Sequence, residues 1–152
     1  SGLLSIHCQA QRMSTTFRWP VRVFYEDTDT AGIVYYANYL KFFERARTEW
    51  LRAAGIHQSE LAESTQRAFV VTRCAVDYHA PARLDDQLEL TVVVEKLGRA
   101  SIIFQQQAWL NHPERSPSLV CSAQVRVGCV DTRSLRPAPL PAQVVAQVRD
   151  RL

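Results

Sequence analysis

The sequence predicts an α+β fold, an antiparallel sheet of about five strands wrapped around one long helix. Three observations lead there. Only residues 38–54 repeat apolar side chains every three or four positions in a long run. Five other segments carry strand patterns. The strands after the helix follow one another through turns and loops, without the crossover helices that a parallel sheet needs. A helix with one apolar stripe must bury that stripe against a sheet face.

Residues 17–25 alternate, with Phe17, Trp19, Val21, Val23 and Tyr25 on one face and Arg18 and Arg22 on the other. That is the period of a half-buried strand, and Pro20, which lacks an N–H, puts it at a sheet edge or makes it begin later. In residues 38–54 the stripe is Tyr39, Phe43, Ala46, Trp50 and Ala54, joined by Leu40 and Leu51. Gly55 is placed to end the helix, because glycine enters the left-handed cap conformation without steric cost. After a polar connection, residues 69–80, 87–97, 101–110 and 119–130 read as strands. Gly98-Arg99 is a short hairpin turn, residues 111–118 form a longer loop, and "APARLDD" (80–86) separates two strands. Pro141 suits the first position of a short last helix. Residues 1–16 are expected to be a flexible N-terminal extension, 17–137 the domain and 138–152 a C-terminal tail. Met13 before "STT" is a second possible start.

The 152 residues are 47% hydrophobic and 22% charged, a globular profile that excludes a disordered or fibrous chain. The net charge of +3 comes from scattered basic residues, so neither nucleic acid nor an anionic membrane is demanded, whereas a small anionic ligand is easily accommodated. No apolar run nears the ~20 residues that span a bilayer, and the N-terminus lacks a secretory pattern, so a cytoplasmic protein is expected. Cys8, Cys74, Cys121 and Cys129 show no CxxC spacing and are expected to be reduced and structural.

Between the first strand and the helix lies "YEDTDTAGIVYYANY", with three acids in four positions. Asp27, Asp29 and Gly32 imitate positions 1, 3 and 6 of a calcium loop, but Ala31 and Asn38 stand where ligands are needed, and a strand precedes the loop instead of a helix. Asp27 and Asp29 also imitate the DxD of a magnesium-dependent phosphatase. That chemistry belongs on a parallel sheet, and Asp85-Asp86 sits in a turn. Acids before a helix also favour its positive end, which suits Glu26 and Asp27. Asp29 asks for more, since Gly32 and then Ile33, Val34, Tyr35 and Tyr36 follow it. A carboxylate beside an apolar wall and a helix N-terminus suits catalysis on a polar group of an apolar substrate.

"RVFYEDTDTAGIVYYANYLKFFERARTEWLRAAG" (22–55) resembles the signature of hot-dog-fold acyl-CoA thioesterases of the 4-hydroxybenzoyl-CoA thioesterase type. "FRWPVRVFYEDTD" and "APARLDD" resemble more narrowly the Tol-Pal-associated bacterial members, and the likeness runs over residues 17–137. It implies a hot-dog fold, acyl-CoA as substrate, no metal or cofactor, and Asp29 as catalytic carboxylate. It also implies a backbone N–H at Tyr36 that polarises the thioester carbonyl, and sites at a homodimer interface, with dimers pairing into tetramers. Relatives often carry histidine at Tyr36, a change that the backbone N–H survives.

The residues fit this chemistry. Asp29 can attack the acyl carbon or activate a water, and N–H groups at Val34 to Tyr36 can meet the oxyanion. Gly32 permits the turn, with Tyr35 and Tyr36 as pocket wall. The resemblance places Glu44 at the acyl pocket, whereas the charged "ERAR" favours an ion pair with Arg47 or Arg45. Arg45 and Glu49 have ion-pair spacing. Tyr35, Tyr39 and Phe43 suit core or pocket, His57 and His79 the surface, and Lys96, Arg99 and Arg83 the phosphates of coenzyme A. Two functions follow: an acyl-CoA thioesterase, or a module that binds acyl carrier protein or a lipid enzyme and hydrolyses weakly.

Overall fold

A computed structural model describes residues 16–152, so Cys8, Met13 and the expected extension up to residue 15 lie outside the described residues. Five strands form one antiparallel sheet: β1 (Phe17–Arg22), β2 (Arg67–Tyr78), β3 (Gln87–Leu97), β4 (Ser101–Leu110) and β5 (Ser118–Asp131). Their spatial order is β1-β3-β4-β5-β2, which leaves β1 and β2 as the two edges. The long helix α1 (Asn38–Ala53) lies across one face. Two short helices, α2 (Gln58–Thr65) and α3 (Ala142–Arg149), complete the fold. Among the described residues no helix is long and apolar enough to cross a membrane.

The stripe of α1 is wider than its sequence period suggested. Tyr39, Phe42, Phe43, Ala46, Trp50 and Leu51 are all buried, while Leu40 turns outward. Each large side chain among them contributes about 1.5–3 kcal/mol by leaving water. Trp50 meets Phe104 of β4 edge to face at 5.5 Å. A polar pin fixes the helix on the sheet: the fully buried Gln106 donates from Nε2 to the Phe43 carbonyl (3.0 Å), and its Oε1 accepts from Arg47 Nη1 (2.9 Å). Burial pulls the Arg47 guanidinium below its usual value, against the opposing pull of Glu44.

Three expectations need correction. The first strand stops at Arg22. Val23 still points inward, but the chain then enters a 3-10 turn at Tyr25–Asp27, which leaves Tyr25 81% exposed. The polar connection contains helix α2, which buries only Leu61 and so carries no stripe for the sequence to reveal. The expected last helix, α3, does follow directly on Pro141, and its Val144 and Val148 are completely buried in the same core. Cys74 is exposed because β2 is an edge. By contrast Cys121 is buried, and burial pushes its thiol up to about 12.

Pro20 stands on an edge strand, as its missing N–H requires. Gly55 ends α1 at φ +82°, with Gly55 N–H donating to the Arg52 carbonyl and Ile56 N–H to that of Leu51, both at 2.9 Å. Ile56 and Leu51 are both buried, as a Schellman cap requires of its apolar pair. Gly55→Ala forces a side chain into the left-handed region. A loss of about 1 kcal/mol is expected, read as a lower denaturant midpoint at unchanged slope.

Candidate active site

The acidic segment folds as a tight loop between β1 and α1, closed by short bridges from Thr28 to Val34 and from Ile33 to Arg83. The two aspartates differ completely within it. Asp27 is 5% exposed; its Oδ2 accepts from Phe24 N–H (2.8 Å) and its Oδ1 from Asn38 Nδ2 (2.9 Å). Its main-chain carbonyl takes Tyr35 N–H at 2.9 Å. One residue thereby ties the strand end, the loop and the first residue of α1 together. A calcium-loop role is closed to a carboxylate already spent on these donors.

Asp29 is exposed on the same loop. Its N–H donates to the Ile33 carbonyl (2.9 Å), its carbonyl accepts from Gly32 N–H (3.0 Å), and its Oδ1 accepts from Ala31 N–H (2.8 Å). These bonds hold the carboxylate outward, and Oδ2 has no partner among the described residues. Gly32 makes the turn at φ +77°, where a side chain would be strained although its Cβ would touch nothing.

Of the three N–H groups expected to meet an oxyanion, two are spent. Val34 N–H donates to the Ala82 carbonyl (2.8 Å) and Tyr35 N–H to that of Asp27. Tyr36 N–H has no acceptor among the described residues, nor does that of Ala37, a residue to which no sequence signal pointed. Tyr35 and Tyr36 are both exposed, with rings 4.8 Å apart, and form a wall beside Asp29's loop. Tyr78 on β2, to which no spacing in the sequence points, joins this helix start. Its hydroxyl donates to the Tyr36 carbonyl at 2.8 Å, and its ring meets those of Tyr36 and Tyr39 edge-on at 6.2 and 5.9 Å. Tyr39 and Phe43 are core residues.

Glu44 forms no ion pair with Arg47 or Arg45 among the described residues. It accepts instead from Thr48 Oγ1 at 2.8 Å. Glu49 pairs with Arg52 and not with Arg45. Together with Arg47, Thr48 and Gln58, Glu44 lines a cavity of about 120 Å³ whose other walls are apolar, among them Leu51, Val71 and Phe104. His79 is exposed, with Nε2 2.9 Å from Ser122 Oγ, and His57 is exposed just before α2. Arg83 lies against the Asp29 loop, whereas Lys96 and Arg99 sit at the far end of β3. Asp86 caps its own turn by accepting Arg83 N–H at 2.8 Å.

The model of the thioesterase-like superfamily matches residues 23–148, from the end of β1 into α3. The acyl-CoA thioester hydrolase YbgC of Escherichia coli is 44% identical over 137 residues, covering 90% of this chain and 98% of that protein. The acyl-CoA thioesterase YbgC of Haemophilus influenzae is 45% identical over 130 residues, 86% of this chain and 92% of the relative. In fold, the chain resembles a 4-hydroxybenzoyl-CoA thioesterase solved with 4-hydroxybenzoyl-CoA. The TM-score is 0.82 at 20% identity, with 88% of this chain and 99% of that one covered.

The contrast between the aspartates predicts a contrast in stability. Asp27→Ala orphans two donors at the loop's root and should cost about 2–3 kcal/mol in denaturant titration, whereas Asp29→Ala should stay within about 0.5 kcal/mol of the parent.

Proposed function

This chain belongs to the thioesterase-like superfamily, and from that premise we propose that it hydrolyses acyl-CoA with Asp29 as its catalytic carboxylate. It is a thioester hydrolase that releases a free acid and coenzyme A. The observation that carries the assignment of Asp29 is its setting: an outward carboxylate with one oxygen uncommitted, on the loop that leads into a helix start with unused N–H groups.

Hydrolysis then runs as follows. The thioester carbonyl oxygen takes Tyr36 N–H, which stabilises the negative charge that grows on that oxygen as the carbon becomes tetrahedral. Asp29 serves the acyl carbon in one of two ways. By direct attack, a C–O bond forms, the C–S bond breaks, the coenzyme A thiolate leaves, and water then hydrolyses the mixed anhydride. As a base, Asp29 takes a proton from water while that water attacks, and passes the proton to the departing thiolate. Gly32 allows the turn, Val34 anchors the loop to Ala82, and Tyr35 and Tyr36 flank the acyl group. Glu44 belongs to the apolar cavity along α1, which suits acyl binding.

The working unit is proposed to be a homodimer. Asp29, Tyr35, Tyr36 and Tyr78 all stand open on one protomer, and the same side carries the twelve-residue edge strand β2, with Val70 and Val71 at 41% and 52% exposure. Antiparallel pairing of β2 with its own copy about a two-fold axis near mid-strand would bring Tyr78 of one copy beside the opposite end of β2 in the other. There the second copy's cavity would complete the site.

On a panel of acyl-CoAs, Asp29→Asn and Asp29→Ala should lower kcat by at least about a hundredfold, and Asp27→Asn by much less. Equal activity of all forms would sink the assignment, and tight binding of acyl carrier protein with negligible turnover would mark a binding module instead. Val70→Asp, a charge on the β2 edge, should shift the protein to monomer in sedimentation and lower turnover in step.

A further inference from the structure

Two peptide groups at the start of α1 carry the unused N–H groups, and the carbonyl of each is held. In the Tyr35–Tyr36 peptide, the Tyr35 carbonyl accepts Asn38 N–H at 2.8 Å, which aims Tyr36 N–H the opposite way. In the Tyr36–Ala37 peptide, the Tyr36 carbonyl accepts the Tyr78 hydroxyl at 2.8 Å, which aims Ala37 N–H in the same manner. Ala37 is already helical, at φ −73° and ψ −17°, so its N–H runs with the helix axis and points out of its first turn. The first plane is set by the helix itself. The second is set by a side chain from the far edge strand.

We propose that Tyr78 is a positioning residue of the thioesterase site: its hydroxyl fixes the Tyr36–Ala37 peptide so that Ala37 N–H stands beside Tyr36 N–H as a second donor to the oxyanion. The inference rests on the assignment of Asp29 and the helix start as the thioester site. A carbonyl oxygen only accepts, so the phenol must donate to it. Burial, followed by the smaller influences of Cys121, Cys74 and Tyr36, raises the Tyr78 phenol above its ordinary value and keeps that proton in place. Donation to a peptide carbonyl also polarises the N–H of the same peptide, so the hydroxyl strengthens the donor as well as aiming it. The rings of Tyr36 and Tyr39, packed edge-on against Tyr78, hold the phenol at this distance.

Tyr78→Phe keeps the ring and removes only the hydroxyl. In the full chain it should lower kcat about tenfold or more while KM on the same acyl-CoA stays within about twofold, because the donor matters when charge develops and not when substrate binds. Ala37→Pro deletes the N–H at a φ that proline accepts, and should cost at least as much. Combining the two should add nothing. Should Ala37→Pro fail to fold, amide NMR decides: a ketone analogue with a methylene in place of the thioester sulfur should shift the Ala37 amide proton downfield in the parent, and less in Tyr78→Phe. Parental kcat in Tyr78→Phe, a change in KM alone, or an Ala37 amide indifferent to the analogue overturns the proposal. An inactive Asp29→Asn beside a fully active Tyr78→Phe removes Tyr78 only, whereas an active Asp29→Asn removes the site assignment on which it rests.

Discussion

The buried carboxylate of Asp27 is the constraint on which the rest of the site depends. A charge taken out of water costs several kcal/mol unless donors surround it, and here two donors come from different stretches of chain, Phe24 just beyond β1 and Asn38 at the head of α1. With Tyr35 N–H on its carbonyl, Asp27 fixes three separate stretches of chain relative to one another. Everything between them, Asp29 included, is then a short loop with few ways to lie. The interaction is local, yet it sets the angle at which the strand hands the chain to the helix.

The site is what remains once these structural bonds are made. Val34 and Tyr35 give their N–H groups to Ala82 and Asp27, Asp27 gives its carboxylate to the scaffold, and Gly32 gives the turn its left-handed residue. Asp29, two positions away and chemically identical to Asp27, keeps an oxygen for other work. Membership of the thioesterase-like superfamily is consistent with this economy, since hydrolysis of an acyl-CoA asks for little beyond a carboxylate, a fixed N–H and a dry cavity.

Much of the fold was legible because its signals are local. The stripe from Tyr39 to Leu51, the glycine at 55 and the proline at 20 each act through a few neighbouring atoms, and each lies where its chemistry requires. What escaped was non-local. Tyr25 continues the alternation of β1 on paper, but Asp27 pulls the chain into a turn before it can pair. Helix α2 has a single buried residue and thus no period. Glu44 was matched with arginines by charge, while the nearer hydroxyl of Thr48 takes it in space. Tyr78 lies 42 positions from Tyr36 in sequence, and no spacing rule connects a strand tyrosine to a helix carbonyl. The catalytic candidate Asp29 could be singled out from Asp27 by its neighbours, but the allocation of the N–H groups could not.

The unlike edges of the sheet carry a further consequence. β1 is six residues long, carries Pro20, and sends Arg18 and Arg22 outward; β2 is twice as long and exposes Val70, Val71 and Tyr78. A sheet with two open edges can polymerise, whereas here one edge is long and exposed and the other is short and carries a proline and two outward arginines. A copy joining through β2 would leave only the two blunt β1 edges exposed, so edge-to-edge growth would stop at that pair. The proline that looked like a minor irregularity in the first strand is, on this view, protection against fibre formation.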